Sequence, residues 1–341
     1  MFRKSESKRI NILRAYFAVM VVFIHMYNAE IGSTGNVAFD GIEYILSRIV
    51  SGVAVPGFLL ISSVLLYKKE FTWKDNVIKK IKRLVVPYLI LNTFWVCFFA
   101  VVQQSPLQYW FSGERNNIVA NWGLYDWFDA YFINPLLWPV WYLKSLFIFN
   151  IFAKVIKSAV DKFPKLSFLC ILVLYFVFGG SVPVIRFDAL FYFVTGYYIV
   201  KYDLHFRDLE KIRKIYITLA YILLIALVYV TRGTAVNGAA DKLCVMACLV
   251  YFAVVMTKVR NAGVEKLLLV VSRYSMGIYL FHEMNLTILR KIVQRVVPQN
   301  SITIFMEYFL IPFIIIVCCI VLCKLLERWL PKAYGVVTGS R

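Results

Sequence analysis

RINILRAYFAVMVVFIHMYN, Arg9 to Asn28, is apolar and long enough to cross a membrane, yet it carries ionisable side chains. Arg14 and His25 are eleven residues apart, so at 100° per residue they project from the same helix face, roughly 16 Å apart along the axis. Asn11 and Asn28 lie within about 60° of the same line, which makes one polar stripe. Such a stripe must face protein or water, so this stretch predicts one helix of a bundle.

The rest of the chain has the composition of a membrane protein. Of its 341 residues, 61% are hydrophobic and 17% are charged, and the mean hydropathy is +0.72, which is far from the composition of a soluble domain. Apolar runs of spanning length predict an all-α, polytopic integral membrane protein with about ten transmembrane helices. The predicted helices lie near residues 10–29, 44–67, 84–102, 139–157, 166–182, 187–200, 215–231, 242–257, 274–296 and 302–324.

Basic residues are distributed unevenly between these runs. If the N-terminus is cytoplasmic, 28 of the 38 Lys and Arg residues lie in segments predicted to be inside the cell, and seven lie in segments predicted to be outside. This asymmetry predicts a multi-pass protein of the cell membrane with both termini in the cytoplasm. The net charge of +19 therefore reflects topology and does not indicate nucleic-acid binding.

No stretch longer than about 40 residues lies outside the apolar runs, which leaves no room for a separate soluble domain. Residues 1–341 are therefore predicted to form a single membrane domain. Residues 1–9 and 325–341 are predicted to be its cytoplasmic tails.

Common catalytic and metal-binding motifs are absent from the sequence. There is no GxxxxGK[ST] and no GxGxxG, and His282-Glu283 does not begin an HExxH motif. The seven cysteines lie within or at the ends of apolar runs and form no CxxC pair, so they are predicted to be apolar core residues. Nucleotide hydrolysis, zinc proteolysis and a metal site are therefore not indicated.

Arg14 and His25 each have a structural and a functional interpretation. An arginine near a helix end can extend to the membrane interface, and a lone histidine in a membrane often hydrogen-bonds a neighbouring helix. Their common register favours a functional site, because ionisable groups at membrane depth are costly. His25 would supply a base that is neutral near pH 7 and can take a proton from a hydroxyl. Arg14, about three turns nearer the cytoplasm, would suit an anionic ligand.

The segment after the second predicted helix, YKKEFTWKDNVIKKIKRLVVPY, is strongly basic. One interpretation is that it attracts anionic lipid. The other is that it attracts a polyanion, such as the phosphates of a nucleotide-type cofactor. The residues nearest the membrane, called here the basic cluster, are Lys79, Lys80, Lys82 and Arg83.

The longest connection, Gln103 to Pro139, is predicted to be external and is rich in aromatic, Asn and Asp residues. Trp122, Trp127 and Asp126 in this segment would suit a platform that stacks against and hydrogen-bonds a sugar or a glycolipid. The alternative is an aromatic belt at the level of the lipid headgroups.

A second polar cluster is predicted near the end of the chain. His282 and Glu283 lie eight or nine residues into the ninth apolar run, and Glu307 lies six residues into the tenth. These three residues are interpreted either as an interhelical hydrogen-bond set or as charge partners for the first helix.

These features resemble the acyltransferase 3 family of polytopic membrane acyltransferases, whose hallmark is an arginine, ten residues and a histidine in the first helix, here Arg14 to His25. Four further stretches are similar to family stretches, and they occur in the same order and with similar spacing. They are PGFLLISSVLL (Pro56 to Leu66), KKIKRLVVPYL (Lys79 to Leu89), WYLKSLF (Trp141 to Phe147) and YSMGIYLFH (Tyr274 to His282).

The resemblance implies an O-acyltransferase of a bacterial plasma membrane. It implies transfer of an acyl group, usually acetyl from cytoplasmic acetyl-CoA, to a hydroxyl of a cell-envelope glycan or its lipid-linked precursor. By the same resemblance, His25 would be the catalytic residue and Arg14 its partner. The partners would be acyl-CoA as donor substrate, the glycan and membrane lipid, with no permanently bound cofactor.

The sequence departs from the family pattern at several points. Lys80 and Lys82 stand where the family has arginines, which keeps the charge and loses the bidentate fork. Ser63 replaces the glycine of the second-helix motif, so close packing there is not expected. The extracytoplasmic hydrolase-like domain of many relatives is not expected here, as in stand-alone members of the family.

A transporter or flippase for an envelope glycolipid is the alternative function, because it would also use intramembrane Arg, His and Glu. Inverted-repeat symmetry would favour it. The sixth apolar run has no counterpart of the Arg14 to His25 helix, since Asp188 is its only charged residue. The sequence therefore favours the acyltransferase.

Overall fold

The computed structural model describes residues 4–27, 34–108, 118–179 and 185–339, and within those ranges it contains helices and no strand. The all-α prediction is confirmed. In the first half of the chain the helices are α1 (Lys4–Ile24), α2 (Val37–Tyr44), α3 (Ala54–Tyr67), α4 (Trp73–Lys80), α5 (Val86–Val102), α6 (Leu124–Phe128), α7 (Trp141–Ile151) and α8 (Ala153–Lys162). In the second half they are α9 (Pro164–Val177), α10 (Phe187–Lys201), α11 (Phe206–Leu209), α12 (Lys214–Val230), α13 (Asn237–Tyr251), α14 (Ala262–Arg273), α15 (Ser275–Val296), α16 (Ser301–Trp329) and α17 (Pro331–Val337).

Several helices continue through short π-helical or 3-10 segments into longer rods. The segment Ile45–Val50, followed by Ser51–Val53, joins α2 to α3, and Ile81–Val85 joins α4 to α5. Asp129–Ile133 extends α6, and Phe252–Met256 extends α13. The basic cluster therefore lies on a helical rod that runs directly into the third predicted span.

Within the described residues, each of the ten predicted apolar runs contains helix, although the fourth is divided between α7 and α8. The protein is a multi-pass membrane protein. By length and composition, four of the described helices can cross a membrane, namely Val37–Tyr67, Trp73–Val102, Asn237–Met256 and Ser301–Trp329. The number is five if two shorter helical segments that meet at 63° form one broken span. The predicted count of about ten spans is not confirmed, because helices such as α9 and α12 have only 14 and 17 residues.

The first helix lies at the centre of the fold, where α1 contacts α3, α14, α15 and α16. Ala15 and Ala18 are fully buried, and these small side chains let neighbouring helices approach closely. On the α3 side, Gly57 lies under the ring of Phe17, and a Cβ added to Gly57 would be 2.2 Å from that ring. The helix that carries Arg14 and His25 is thus surrounded by protein.

Close packing also joins α3 to α10, although Ser63 replaces the glycine of the family motif. The small residue is supplied by the other helix, since a Cβ added to Gly196 would lie 2.6 Å from Cβ of Ser63. The Ser63 hydroxyl donates to the Phe193 carbonyl at 2.5 Å, which satisfies its hydrogen bonding without a gap. The expectation that Ser63 prevents close packing is therefore wrong.

One end of the bundle gathers the start of α1, the segment after α10 and the segment after α13. Three ion pairs connect these segments: Lys8 Nζ with Glu265 Oε1 at 2.7 Å, Arg9 Nη2 with Glu210 Oε1 at 2.5 Å and His205 Nδ1 with Glu6 Oε1 at 2.6 Å. All three segments are predicted to be cytoplasmic, so their common location agrees with the predicted topology. The side of the membrane on which they lie stays a prediction.

The two predicted tails contain helix. Residues 4–9 are the first turns of α1, and α16 continues to Trp329 before α17 returns to contact α5. Gly339 has a left-handed φ of +63°, and its Cα lies so close to the Arg83 carbonyl that an added Cβ would be 2.4 Å from that oxygen. The described end of the chain therefore packs against the basic cluster.

The segment between Gln103 and Pro139 differs from the predicted external connection. Val119 N–H donates to Gln103 Oε1 at 2.9 Å, whereas the Tyr88 hydroxyl donates to the Tyr131 carbonyl at 2.6 Å. Residues 119–131 therefore run antiparallel to α5 and follow it for about 20 Å, from its end back to its start. Leu124–Ile133, within this predicted connection, is helical. The external location of the segment stays a prediction.

The carbonyl groups at the end of this helix find partners inside the bundle. Lys144 Nζ donates to the carbonyls of Phe132 and Ile133 at 3.0 and 2.8 Å, and Asn92 Nδ2 donates to Ala130 at 2.9 Å. A helix that stops inside a protein needs such donors for its last carbonyls. Lys144 and Asn92 thus allow the chain to break and turn into α7.

Candidate functional site

His25 lies in the turn immediately after α1, which ends at Ile24. Met26 N–H bonds to the Phe23 carbonyl at 3.1 Å, so the last turn is tighter than an α-helical turn. The predicted helix through Asn28 is therefore wrong at its last turn, and Asn28 itself lies outside the described residues. His25 is half-buried, with 22% of its side chain exposed.

His282 on α15 lies against His25. It is fully buried, and its Nδ1 is 3.0 Å from the Ile278 carbonyl and 2.9 Å from the Tyr279 carbonyl. Two carbonyl acceptors require the proton to be on Nδ1, so Nε2 carries the lone pair. Within the described part of the chain, this Nε2 has no hydrogen-bond partner. The centroids of the two imidazole rings are 5.0 Å apart.

Glu283, which follows His282 on α15, points its carboxylate towards His25. Its Oε1 is 4.0 Å from Nδ1 of His25, which is slightly longer than a hydrogen bond. A small rotation would bring them into contact, hold the His25 proton on Nδ1 and leave Nε2 free to accept another. Catalytic hydrogen bonds are often long before the substrate binds.

Glu307 is the member of the second polar cluster that the structure places elsewhere. Its Oε1 accepts a hydrogen bond from Nε2 of Gln299 at 2.9 Å, at the start of α16. The structure therefore brings His282 and Glu283 to His25 and leaves Glu307 outside the group.

Arg14 meets the same helix as His25. Its Nη2 donates to the Ser275 hydroxyl at 3.1 Å, at the first residue of α15. Ser275, Tyr279 and His282 are spaced i, i+4 and i+7, so they share one face of α15. Arg14 meets the beginning of this face and His25 meets its end, which means that α1 and α15 run parallel. The polar stripe predicted on the first helix therefore faces protein.

A cavity of about 400 Å³ opens beside His25. Tyr279 and His25 form part of its wall, and Trp138 and Trp141 contribute aromatic surface. Its volume is within the range typical of small-molecule sites. The charged residues in the wall are Arg48, Arg186, Asp188, Asp241 and Lys242.

The sequence did not identify this charged wall as part of the site. Arg48 and Asp188 are visible as charges inside apolar runs, and this is the signal that an intramembrane site leaves in a sequence. Their distance along the chain does not reveal that they border one cavity. The packing of α3 against α10 brings them together.

The basic cluster borders two further pockets at the end of the bundle that holds the α1 start. One pocket, of about 760 Å³, is lined by Lys79, Lys80, Arg83 and Ser62 among others. The second, of about 280 Å³, is lined by Lys79, Lys82 and Arg83, and by Gly339 from the chain end. The four predicted residues thus surround space that can receive a ligand.

Ser62 and Tyr142 connect the larger basic pocket to the His25 cavity. The Ser62 hydroxyl, in the wall of the pocket, is 3.1 Å from the Tyr142 hydroxyl. The Tyr142 ring packs edge-on against the Tyr279 ring, with centroids 5.4 Å apart, and Tyr279 lines the cavity. Ser62, Tyr142 and Tyr279 thus form a chain of contacts between the two spaces.

The predicted sugar platform does not border the His25 cavity. Trp122 and Trp127 pack edge-to-face, with ring centroids 5.2 Å apart, in the segment that follows α5. Asp126 Oδ2 accepts a hydrogen bond from Gly123 N–H at 2.9 Å and thereby caps α6. The structure thus gives Asp126 a role in folding and keeps the two tryptophans together but away from the candidate base.

Two comparisons with known proteins bear on this site. A family profile described as an acyltransferase domain matches residues 7–325. The succinoglycan biosynthesis protein ExoH of Rhizobium meliloti (strain 1021) is 23% identical over 362 aligned residues, which cover 98% of this chain and 92% of that protein. No solved structure matches the chain.

Proposed function

The chain belongs to the acyltransferase 3 family, and on this premise we propose that it moves an acetyl group from acetyl-CoA to a hydroxyl of a cell-envelope glycan or its lipid-linked precursor. The similarity to a succinoglycan biosynthesis protein extends over nearly the whole length of both chains and supports a polysaccharide as acceptor. Both comparisons favour the enzyme over the transporter alternative.

The main support for this proposal is the position of His25 at the wall of a cavity. A base for acyl transfer must be neutral, must be held in one tautomer and must reach the acceptor hydroxyl. His25 borders a cavity, and the Glu283 carboxylate lies 4.0 Å from its Nδ1. In the proposed mechanism Glu283 is a positioning residue, which keeps the proton on Nδ1 and directs Nε2 to the substrate.

The proposed reaction conserves atoms and protons. The acceptor hydroxyl oxygen attacks the thioester carbonyl carbon, and its proton passes to Nε2 of His25. The carbon–sulfur bond then breaks, and the CoA sulfur leaves as it takes the same proton from His25. The acetyl group remains on the acceptor oxygen as an ester, and His25 returns to its neutral form.

The donor is proposed to enter through the larger basic pocket. Lys79, Lys80 and Arg83 in its wall suit the phosphates of CoA. The acyl-carrying arm would then pass Ser62 and Tyr142, beside Arg14, to reach His25. The axial distance from Arg14 to His25, roughly 16 Å, is comparable with the length of that arm.

Replacing His25 with alanine tests the proposed function. With radiolabelled acetyl-CoA and membranes that contain the native glycan, the transfer rate should fall by roughly a hundredfold or more. His205→Ala is the matched control, because His205 pairs with Glu6 at the other end of α1 and does not line the cavity. Undiminished transfer by His25→Ala at normal membrane levels would disprove the proposal.

A further inference from the structure

Five charged residues line the His25 cavity, and four of them have a partner there. Arg186 forms two hydrogen bonds with Asp188, at 3.1 and 2.5 Å, and its guanidinium lies 4.1 Å from the centroid of the Trp141 ring. Lys242 donates to the Phe176 carbonyl at 2.9 Å, at the end of α9. The Arg48 guanidinium lies 4.7 Å from the centroid of the Tyr27 ring. These contacts hold the wall in place.

Asp241 is the exception. Its carboxylate lines the cavity but has no hydrogen bond and no ion pair with any residue in the described part of the chain. The neighbouring Lys242 turns to the α9 carbonyl instead. A carboxylate inside an apolar bundle is costly unless a ligand or water satisfies it, so an unpartnered one in a cavity indicates a binding group.

The surfaces around Asp241 are aromatic and hydroxyl-bearing. Tyr175 and Tyr192 line the same cavity and bond to each other through their hydroxyls at 2.6 Å. Trp138 also lines it, with 43% of its surface exposed. A flat ring with a nearby carboxylate suits a ligand that has an apolar face and hydroxyl edges.

We propose that this cavity is the acceptor site and that Asp241 binds a neutral sugar by accepting hydrogen bonds from its hydroxyls. This inference rests on the proposed function, because it assumes that the hydroxyl presented to His25 belongs to a glycan. Asp241 positions the sugar, the exposed face of Trp138 supports it, and another hydroxyl of the same sugar meets His25.

The charge nearest the proposed sugar argues for a neutral ligand rather than an anionic headgroup. Arg186 is paired with Asp188, Lys242 donates to a backbone carbonyl and Arg48 lies over the Tyr27 ring. In the described part of the chain none of these three cations forms an ion pair with Asp241. The unpaired carboxylate of Asp241 would repel a phosphate or a carboxylate. A sugar hydroxyl has no such penalty and donates directly to an ionised acceptor, which makes a strong hydrogen bond.

The acceptor kinetics of an Asp241→Asn variant test the inference. The probe is the envelope glycan of the producing cells after mild base has removed its esters, titrated at saturating radiolabelled acetyl-CoA against the protein in lipid nanodiscs. We expect KM for the glycan to rise roughly tenfold or more, because a charge-assisted bond is lost. Equilibrium binding of acetyl-CoA should not change. Asp203→Asn, at a side chain that is 81% exposed, is the matched control.

Three outcomes would overturn the inference. They are an unchanged KM in Asp241→Asn and in Asp241→Ala, a loss of acetyl-CoA binding together with glycan transfer, and a raised KM in the Trp122→Ala, Trp127→Ala double variant instead. Failure of the proposed function has a different signature, since His25→Ala would then transfer normally. If His25→Ala is inactive and Asp241→Asn has the wild-type KM, only the acceptor assignment fails.

Discussion

The Oε1 atom of Glu283 lies 4.0 Å from Nδ1 of His25, although His25 follows the first helix of the chain and Glu283 belongs to α15, more than 250 residues later. His25 also lies near a second imidazole, that of His282, whose own proton is held by two backbone carbonyls. Glu283 can therefore orient the His25 ring. His282 cannot donate a proton to His25 from its Nε2, because its proton is on Nδ1.

Glu283→Gln should reduce transfer without removing it. The amide keeps the shape of the side chain but no longer offers a negative charge to His25, so the transfer rate should fall roughly tenfold or more. Glu307→Gln is a matched control at a residue outside the cavity. The rate at which radiolabelled acetyl groups are incorporated into the glycan measures the activity of both variants. Equal rates in the two variants would remove Glu283 from the proposed mechanism.

Neutralising the basic cluster should weaken donor binding. Lys80→Gln with Lys82→Gln should lower acetyl-CoA affinity, and the loss should shrink as salt rises, because ionic strength screens charge attraction. Equilibrium binding to the protein in nanodiscs measures this. Lys211→Gln is the control, since that side chain is 80% exposed on a separate segment. Identical salt dependence in all variants would exclude the basic cluster as the donor site.

Arg14→Lys should also impair donor binding, although the charge is kept. A lysine lacks the planar fork, so it cannot offer two parallel N–H groups to an anionic donor group while another bonds Ser275, as the Arg14 guanidinium can. The same binding assay, with protein levels checked by gel filtration in detergent, reports the effect. Wild-type affinity would mean that Arg14 serves only to join α1 to α15.

The contact between α3 and α10 should not tolerate a methyl group. In Gly196→Ala the new Cβ would lie 2.6 Å from Cβ of Ser63 and 2.8 Å from the Leu60 carbonyl, so the helices must separate. We expect a loss of about 1–3 kcal/mol in stability. Gly238→Ala is the same substitution with nothing within 4 Å of the new atom, and it should stay within about 1 kcal/mol of the wild type. Thermal unfolding in detergent compares the stability of the two variants with that of the wild type.

Asp161 should make stability depend on acidic pH. Burial alone raises the pKa of its carboxyl, but hydrogen bonds from Lys157, Tyr197 and Lys201 outweigh burial and lower the pKa to about 2. The folded state therefore binds this proton more weakly than the unfolded chain. The stabilisation is complete above the ordinary pKa of 3.8 and is lost as the pH falls towards 2.

Asp161→Asn should flatten this dependence. The variant should unfold at a lower temperature than the wild type at pH 6, and the difference should narrow between pH 4 and pH 2. Thermal scans in detergent at each pH measure it. A constant difference across that range would show that Asp161 contributes by packing rather than by charge.

Reporter fusions test the orientation. Because 28 basic residues lie in the predicted inside segments and seven in the outside ones, a reporter after Arg341 should be cytoplasmic and one near Asn117 external. Both positions lie outside the described residues. The reverse result would place the basic cluster, and the proposed donor site, on the wrong side of the membrane.

The sequence predicted those features of the site that depend on spacing within one helix. A separation of eleven positions places Arg14 and His25 on one face whatever surrounds the helix, because the α-helical repeat is local. Apolar length likewise predicted a helix at each of the ten runs. The number of spans stays a prediction, because charges and breaks shorten the apolar length of several helices.

Pairing between helices was decided by the tertiary structure. Glu283 and Glu307 are both carboxylates in apolar runs, and only the parallel crossing of α1 and α15 brings the first to His25 and leaves the second with Gln299. The segment Leu124–Ile133 follows α5 because Asn92 and Tyr88 bond its carbonyls. Such contacts join residues that are far apart in the chain, so no local periodicity encodes them.

The residues around the His25 cavity also divide into those that the sequence predicted and those that only the tertiary structure brought together. The sequence determined that Arg14 and His25 share a face and that the basic cluster is next to a membrane helix. The tertiary structure alone decided that Asp241 and His25 border one space and that Trp122 and Trp127 do not. The physical reason is that a helix fixes the direction of its own side chains, whereas helix packing determines what they meet.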